Sequence, residues 1–391
     1  AEIDERNTAD ARGSQQPTRR QGPAALRAET VLTSLDEMLD PTVLSSLLGR
    51  DVEQVDRCRA EDLSGSTDAD FLAVALDDEA VPSLLVKLVH PTTDWVALFT
   101  YDRQRRAARL WREGVFERMP AAVEPSVIAC AEWPDGYGIL MPHLGTKMLQ
   151  SDVPLPGWMD EAILDAMASM HAAYGQDPSL ADPVHGLCTI ETQVKNISPQ
   201  RARQLNGEEP SWASWIIEGW EEALPEIIDS RLARDLQSLV DDPRPIADAL
   251  SSHPRTLVHG DVRPANVGIR GGRTAPQCHF VDWGRAAFAH PGADLGFYLG
   301  FTAIEWQRDL DGRIAAYEGR LRTYLLDRWP VDWERQLEIG LMAGLLQSSF
   351  GCRAYWGIRW ATAEGRLEHV EHERAVLQSL ADRLRGAMDL L

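Results

Sequence analysis

The apolar positions along the chain change period near residue 145. From Glu29 through Leu35, Met38, Leu39 and Leu44 to Leu48 the spacing is helical, and Gly49 ends the run. Short strand-like runs follow at Val55–Asp62, Asp70–Leu76 and Ser83–Val89. A small-residue turn, Ser64-Gly65-Ser66-Thr67-Asp68, joins the first two. Tyr101–Met119 returns to helical spacing through Leu110, Val115 and Phe116. Two further strands, Ser126–Trp133 and Tyr137–Leu144, flank the turn Pro134-Asp135-Gly136. Strands, one helix and a hairpin together predict a small antiparallel α+β unit.

Beyond Gly145 the runs lengthen into helices: Trp158–Tyr174, Glu208–Ile228, Arg231–Leu250, Ala293–Leu326 and Trp333–Leu390, the last two with breaks. One strand-like island, Leu257–Trp283, interrupts them, with candidates Val267–Ile269 and His279–Val281 either side of Gly271-Gly272. The expectation is a polar tail over 1–28, a sheet-rich lobe over 29–144 and a helical lobe over 145–391.

Composition narrows the function classes. The 391 residues carry 39 basic and 60 acidic side chains, a net charge of −21. That balance argues against a nucleic-acid binder, which needs clustered positive charge. No apolar run reaches membrane-spanning length and no basic-then-apolar leader is visible, so no membrane association and a cytoplasmic address are expected. Five widely spaced cysteines without a C-x-x-C pair fit reduced, structural thiols. Lysine is scarce: Lys87, Lys147 and Lys195 are the only three.

The chemistry concentrates in Leu257-Val258-His259-Gly260-Asp261-Val262-Arg263-Pro264-Ala265-Asn266, with Asp282 following in Phe280-Val281-Asp282-Trp283-Gly284. An Asp, an Asn five positions on, and an Asp after a tight hairpin form the layout of a kinase catalytic loop and its metal-binding segment. One carboxylate must accept the acceptor hydroxyl's hydrogen bond and then its proton. An amide oxygen and a second carboxylate suit Mg²⁺, a hard ion that prefers oxygen. Upstream, Lys87 lies in a strand and can reach nucleotide phosphates, and Glu113, on the following helix, can pair with it. The Ser64–Asp68 turn can cover phosphates with N–H groups and hydroxyls. No Walker A sequence occurs.

His259-Gly260-Asp261, Asn266 and Asp282-Trp283 resemble the aminoglycoside phosphotransferase and choline-kinase group of the protein-kinase-like fold. Met167-Ala168-Ser169-Met170-His171 resembles that group's L-x-x-L-H helix, and Pro291-Gly292-Ala293-Asp294-Leu295 its P-x-x-D-L segment. The resemblance runs in order from about residue 55 to 300. It implies an α+β, bilobal protein-kinase-like fold with a small antiparallel-sheet N-lobe, a hinge at 139–145 and a large, mainly helical C-lobe holding the catalytic loop, 257–284, and the acceptor site. It implies Asp261 as catalytic base and Asn266 and Asp282 as Mg²⁺ ligands. Lys87, Glu113, Ser64, Gly65 and Ser66 would serve the phosphates of ATP or GTP, and Pro142 and Leu144 the adenine. Arg263 stands where the group often has His, and Gly284 where an acidic residue is frequent.

Blander readings stand beside these. Ser64 and Ser66 also suit an ordinary turn, and Lys87 a strand-edge gatekeeper. Asp294 reads as a brace for the catalytic loop rather than a reacting group, and His171 and His259 as packed residues. His369 and His372 read as an exposed helical face. Seven acids between Leu205 and Ser230, with Trp212, Trp215 and Trp220, form either a solvated face or a wall for a cationic or amphiphilic acceptor. The reading expected is a small-molecule O-kinase acting on a hydroxyl. The acceptor would be an antibiotic of aminoglycoside, macrolide or nucleoside type, which implies a resistance enzyme. A metabolic kinase for an amino alcohol, sugar or sterol-like compound, and a nucleotide-binding pseudokinase module, are the alternatives.

Overall fold

The computed structural model describes residues 32–60, 70–77, 79–151, 153–205, 211–306, 309–348 and 350–391. The expected tail and the Ser64–Asp68 turn lie outside them.

The first lobe is an antiparallel five-stranded sheet. Its strands β1 (Val55–Arg59), β2 (Asp70–Leu76) and β3 (Leu84–Val89) follow one another. β4 (Val123–Glu124) leaves the sheet, and β5 (Ala129–Trp133) and β6 (Gly136–Pro142) complete it in the order β1-β2-β3-β6-β5. All six residues of central β3 are buried, which its Leu- and Val-rich run dictates. Lys87 stands among them, opposite Phe71 on β2 and Ile139 on β6.

The helical expectations survive with interruptions that local chemistry explains. The run ending at Gly49 is two helices, Leu35–Met38 and Pro41–Leu48, because Asp40 caps the second and Pro41 opens it. The Tyr101–Met119 run is helical only at Arg106–Arg112, followed by a 3-10 turn at Val115–Arg118. Tyr101 and Arg105 take left-handed backbone conformations that prevent an earlier start. A short helix at Trp95–Phe99, absent from the sequence reading, begins from an Asp94 cap. Arg231–Leu250 splits at Pro243 into Ser230–Asp241 and Arg244–Leu250.

In the second lobe the buried helix Gly157–Ala173 packs against Leu310–Leu325. Helices Gly292–Trp306 and Trp333–Gln347 cross more closely, since Gly296 and Gly344 each set a bare Cα against the other helix's backbone. A Cβ on Gly344 would stand 2.2 Å from the Ala293 carbonyl oxygen.

Two small sheets carry the strand-like island. β7 (Thr256–Val258) pairs with β10 (Ala287–Ala289), and β8 (Val267–Arg270) with β9 (Gln277–Phe280). β4 adds to β9 in parallel, Val123 opposite Cys278, and so stitches the lobes together. Among the described residues no helix is long and apolar enough to cross a membrane. All five cysteines are free thiols.

Candidate active site

Four backbone-directed contacts shape the loop between β7 and β8. Asp294, fully buried, accepts the His259 N–H at 2.7 Å and the Gly260 N–H at 2.6 Å. His171 donates to the same carboxylate at 3.2 Å, and its other nitrogen accepts from the Tyr317 hydroxyl at 2.6 Å. His259 donates Nε2–H to the Val281 carbonyl at 3.0 Å and accepts the Asp261 N–H on Nδ1 at 3.2 Å. Burial pushes its pKa below the usual histidine value, which keeps the ring neutral for this double bridge. His171, His259 and Asp294 therefore act as braces, in line with the sequence reading. Gly260, at φ +77°, abuts the Arg285 carbonyl, where a Cβ would come within 2.4 Å.

The loop brings Asp261, Asn266 and Asp282 to one place. Asp261 is buried, with Arg263 Nε 3.5 Å from its Oδ1. Asn266 donates Nδ2–H to the Asp261 carbonyl at 3.1 Å. Its own carbonyl accepts the Val281 N–H at 3.0 Å, linking it to the Asp282 segment. Asp282 has left-handed backbone angles, φ +66° and ψ +67°. Its Oδ2 lies 2.8 Å from Lys87 Nζ. Burial disfavours both charges, but the two charges outweigh it for each other. The Lys87 pKa rises, with Asp94 and Asp261 assisting Asp282, and the Asp282 pKa falls.

The expected Lys87–Glu113 pair does not form. Glu113 stands at the end of the Arg106–Arg112 helix, and its carboxylate lies 3.2 Å from Arg112. Asp94 takes its electrostatic place. It caps Trp95–Phe99 through the Ala97 N–H at 2.9 Å, and its charge interacts with both Lys87 and Asp282. Burial, then the repulsion of Asp282, raises its pKa against the pull of Lys87. An Asp directly before an apolar helical run is a legible capping signature, but sequence alone gave no reason to place it beside Lys87.

Pro142 ends β6, and Leu144 starts the 3-10 turn Gly145–Lys147 that leads into the second lobe. Ser64, Gly65 and Ser66 lie outside the described residues. Of the acidic run, Glu221 pairs with Arg203, while Glu222 and Glu226 share Arg359, at 2.8 and 3.2 Å. Trp220 is core, its indole N–H donating to Ile197 O. These pairs favour the solvated-face reading over a cation-attracting wall.

The donor set fits Mg²⁺. Nδ2 of Asn266 is engaged, which leaves its oxygen for an ion, and Asp282 supplies a carboxylate held by Lys87. Among the described residues no cluster of three or more His, Cys, Asp or Glu side chains could hold a metal without other ligands. An ion here needs phosphate oxygens and waters to complete its shell, as Mg²⁺ at nucleotide sites does.

A buried lysine paired to a carboxylate, beside an Asp and an Asn on one braced loop, is an arrangement that suits phosphoryl transfer. The chain belongs to the Phosphotransferase enzyme family, whose sequence profile matches residues 64–330. It is thus a small-molecule phosphotransferase acting on a hydroxyl group. Comparison with the curated proteins gives no match. Among solved structures, Plasmodium vivax ethanolamine kinase is 13% identical over 91% of this chain and 86% of that one, with a TM-score of 0.47. The macrolide 2'-phosphotransferase of Brachybacterium faecium is 17% identical over 88% of this chain and 97% of that one, TM-score 0.41. An aminoglycoside phosphotransferase of Streptomyces rimosus, solved with ADP and streptomycin, is 17% identical over 79% and 99%, TM-score 0.43.

Proposed function

We propose that the chain transfers the γ-phosphate of ATP or GTP to a hydroxyl of an antibiotic of aminoglycoside, macrolide or nucleoside type. The observation that carries the kinase reading is the Lys87–Asp282 contact across the lobes, beside Asp261 and Asn266. Lys87 holds the nucleotide phosphates, and Pro142 and Leu144 offer main-chain groups to its base. Asn266 and Asp282 would hold Mg²⁺, which when bound neutralises phosphate charge and orients the γ-phosphoryl. Asp261 orients the acceptor hydroxyl and takes its proton. Among these types, an amphiphilic acceptor is favoured. That reading is supported by a partly exposed aromatic cluster in the helical lobe, where Trp215 and Trp356 meet at 4.4 Å and Trp356 and Trp360 at 5.5 Å. Indole rings meeting edge to face in this way offer apolar contact to an amphiphile without needing fixed charge.

The test is a coupled nucleotide-turnover screen against hydroxylated antibiotics, amino alcohols and sugars, run with wild-type protein and Asp261→Ala. Turnover that depends on an antibiotic and vanishes in Asp261→Ala is the expected result. Turnover on amino alcohols or sugars alone would overturn the antibiotic assignment. Wild-type rates in Asp261→Ala would overturn the base.

A further inference from the structure

We propose that Arg285 is a positioning residue for phosphoryl transfer, holding Asp261 by one carboxylate oxygen so that the other meets the acceptor. The proposal rests on the reading of Asp261 as the base.

Arg285 closes the short turn that follows Asp282 and is 3% exposed. One terminal nitrogen donates to Gln347 Oε1 at 3.0 Å, and the guanidinium lies over the Phe297 ring, 4.7 Å from its centroid. The other terminal nitrogen is 3.9 Å from Asp261 Oδ1. Its carbonyl accepts from Gln193 Nε2 at 2.8 Å, so backbone and side chain are both fixed from the helical lobe. A buried arginine is costly unless an anion answers it. Among the described residues the only carboxylate paired with it is Asp261, and that contact is loose. Its Nε, with Gln347 Nε2 and Gln193 Oε1, is buried without a hydrogen-bond partner. Packing alone would be served better by an apolar side chain of similar volume.

The geometry divides the two oxygens of Asp261. Arg263 Nε at 3.5 Å and Arg285 at 3.9 Å both attend Oδ1. Both approaches are closest at Oδ1, and among the described residues no hydrogen bond is made to Oδ2. The acceptor hydroxyl therefore donates to Oδ2. As its oxygen forms the new bond to the γ-phosphorus, its proton passes to Oδ2. The bond from that phosphorus to the bridging oxygen breaks, and its electron pair leaves with the nucleoside diphosphate. Arg285 exchanges no proton and touches no substrate.

The experiment uses the full chain with Mg²⁺-ATP and Mg²⁺-GTP, water serving as acceptor. Arg285→Met should lower kcat about 10- to 100-fold and leave the nucleotide KM within about twofold, since misplacing a reacting group costs that much. Arg285→Lys should recover part of kcat by restoring the charge. Gln347→Leu, which frees the guanidinium without touching Asp261, should lower kcat about three- to tenfold and covers the case in which Arg285→Met fails to fold. A folded Arg285→Met or Gln347→Leu at wild-type kcat would overturn the proposal, as would a Lys variant no better than Met. Asp261→Ala run alongside separates the two failures. If it is inactive while Arg285→Met is not, only the Arg285 role falls; if it hydrolyses at the wild-type rate, the base assignment falls and the Arg285 role with it.

Discussion

Lys87, in the middle of β3, and Asp282, just past the end of β9, meet at 2.8 Å across the two lobes. Each is the other's main counter-charge, so neither can be removed without leaving a buried ion. Lys87→Met should destabilise the chain by about 3 kcal/mol, the typical cost of breaking a buried pair. It should also weaken Mg²⁺-nucleotide binding by about tenfold or more. Lys87→Arg should not restore binding, because a forked guanidinium does not fit a position buried on all sides. Calorimetric titration with Mg²⁺-ATP and Mg²⁺-GTP, alongside thermal melts, measures both effects; an arginine variant that binds normally would contradict the steric argument.

Asp94 and Glu113 make contrasting predictions. Asp94→Asn keeps the cap on Trp95–Phe99, since an amide oxygen still accepts the Ala97 N–H, but it removes the charge beside Lys87 and Asp282. It should lower kcat/KM by about tenfold with little loss of melting temperature. Glu113→Gln, acting at a surface pair with Arg112, should stay within about twofold. The reverse ranking would restore Glu113 as the lysine's partner.

These two residues also mark what the sequence made legible. Asp261, Asn266 and Asp282 were readable because their spacing is local: one loop and one hairpin bring them together. Lys87 was readable from its apolar strand and from the chain's scarcity of lysine. Its pairing with Asp282, with Asp94 alongside, was not, because pairing across elements depends on where a helix starts. The Tyr101–Met119 periodicity concealed left-handed residues at Tyr101 and Arg105 that shorten the helix and change its reach. Arg285 was invisible for a similar reason. Its significance lies in Gln347 and Phe297, from helices that follow it in sequence and that no spacing rule connects to it. Breaks at Pro41 and Pro243, in contrast, follow from proline chemistry that a stricter reading would have caught.

Asp294 separates bracing from catalysis. It accepts two backbone N–H groups of the loop while wholly buried. Asp294→Ala would leave both donors without a partner, so it should cost about 3–5 kcal/mol and lower activity through loop disorder. Asp294→Asn, which can still accept one of them, should cost about half as much. Chemical denaturation of the two variants checks the ranking, and equal losses would mean that the loop is held by its other contacts.

His290 gives stability a pH dependence whose sign follows from its surroundings. The ring is buried beside Trp333 and accepts the Gly292 N–H on Nδ1 at 3.1 Å. Burial, assisted by His253 and His171, pulls its pKa down to about 3. The unfolded chain has a histidine near 6.5, so between those values the unfolded state binds the extra proton. Stability is therefore complete above about pH 6.5 and falls as the pH drops towards 3, by about 1.4 kcal/mol per pH unit for one such group. His259, whose pKa is also lowered by burial, adds to the same slope. Carboxylates with depressed pKa values, such as Asp242 at about 2, act in the same direction but only below about pH 4. Carboxyls raised by burial, such as Asp94 and Asp102, act in the opposite direction, so the comparison of wild type with a variant over pH 7 to 5 is what isolates His290. His290→Asn, whose amide oxygen can accept the Gly292 N–H in place of Nδ1, should reduce the stability lost over that interval by about 2 kcal/mol. Urea unfolding of wild type and variant at pH 7 and pH 5 reads the difference directly, and an unchanged slope would mean that His290 titrates normally in the folded chain.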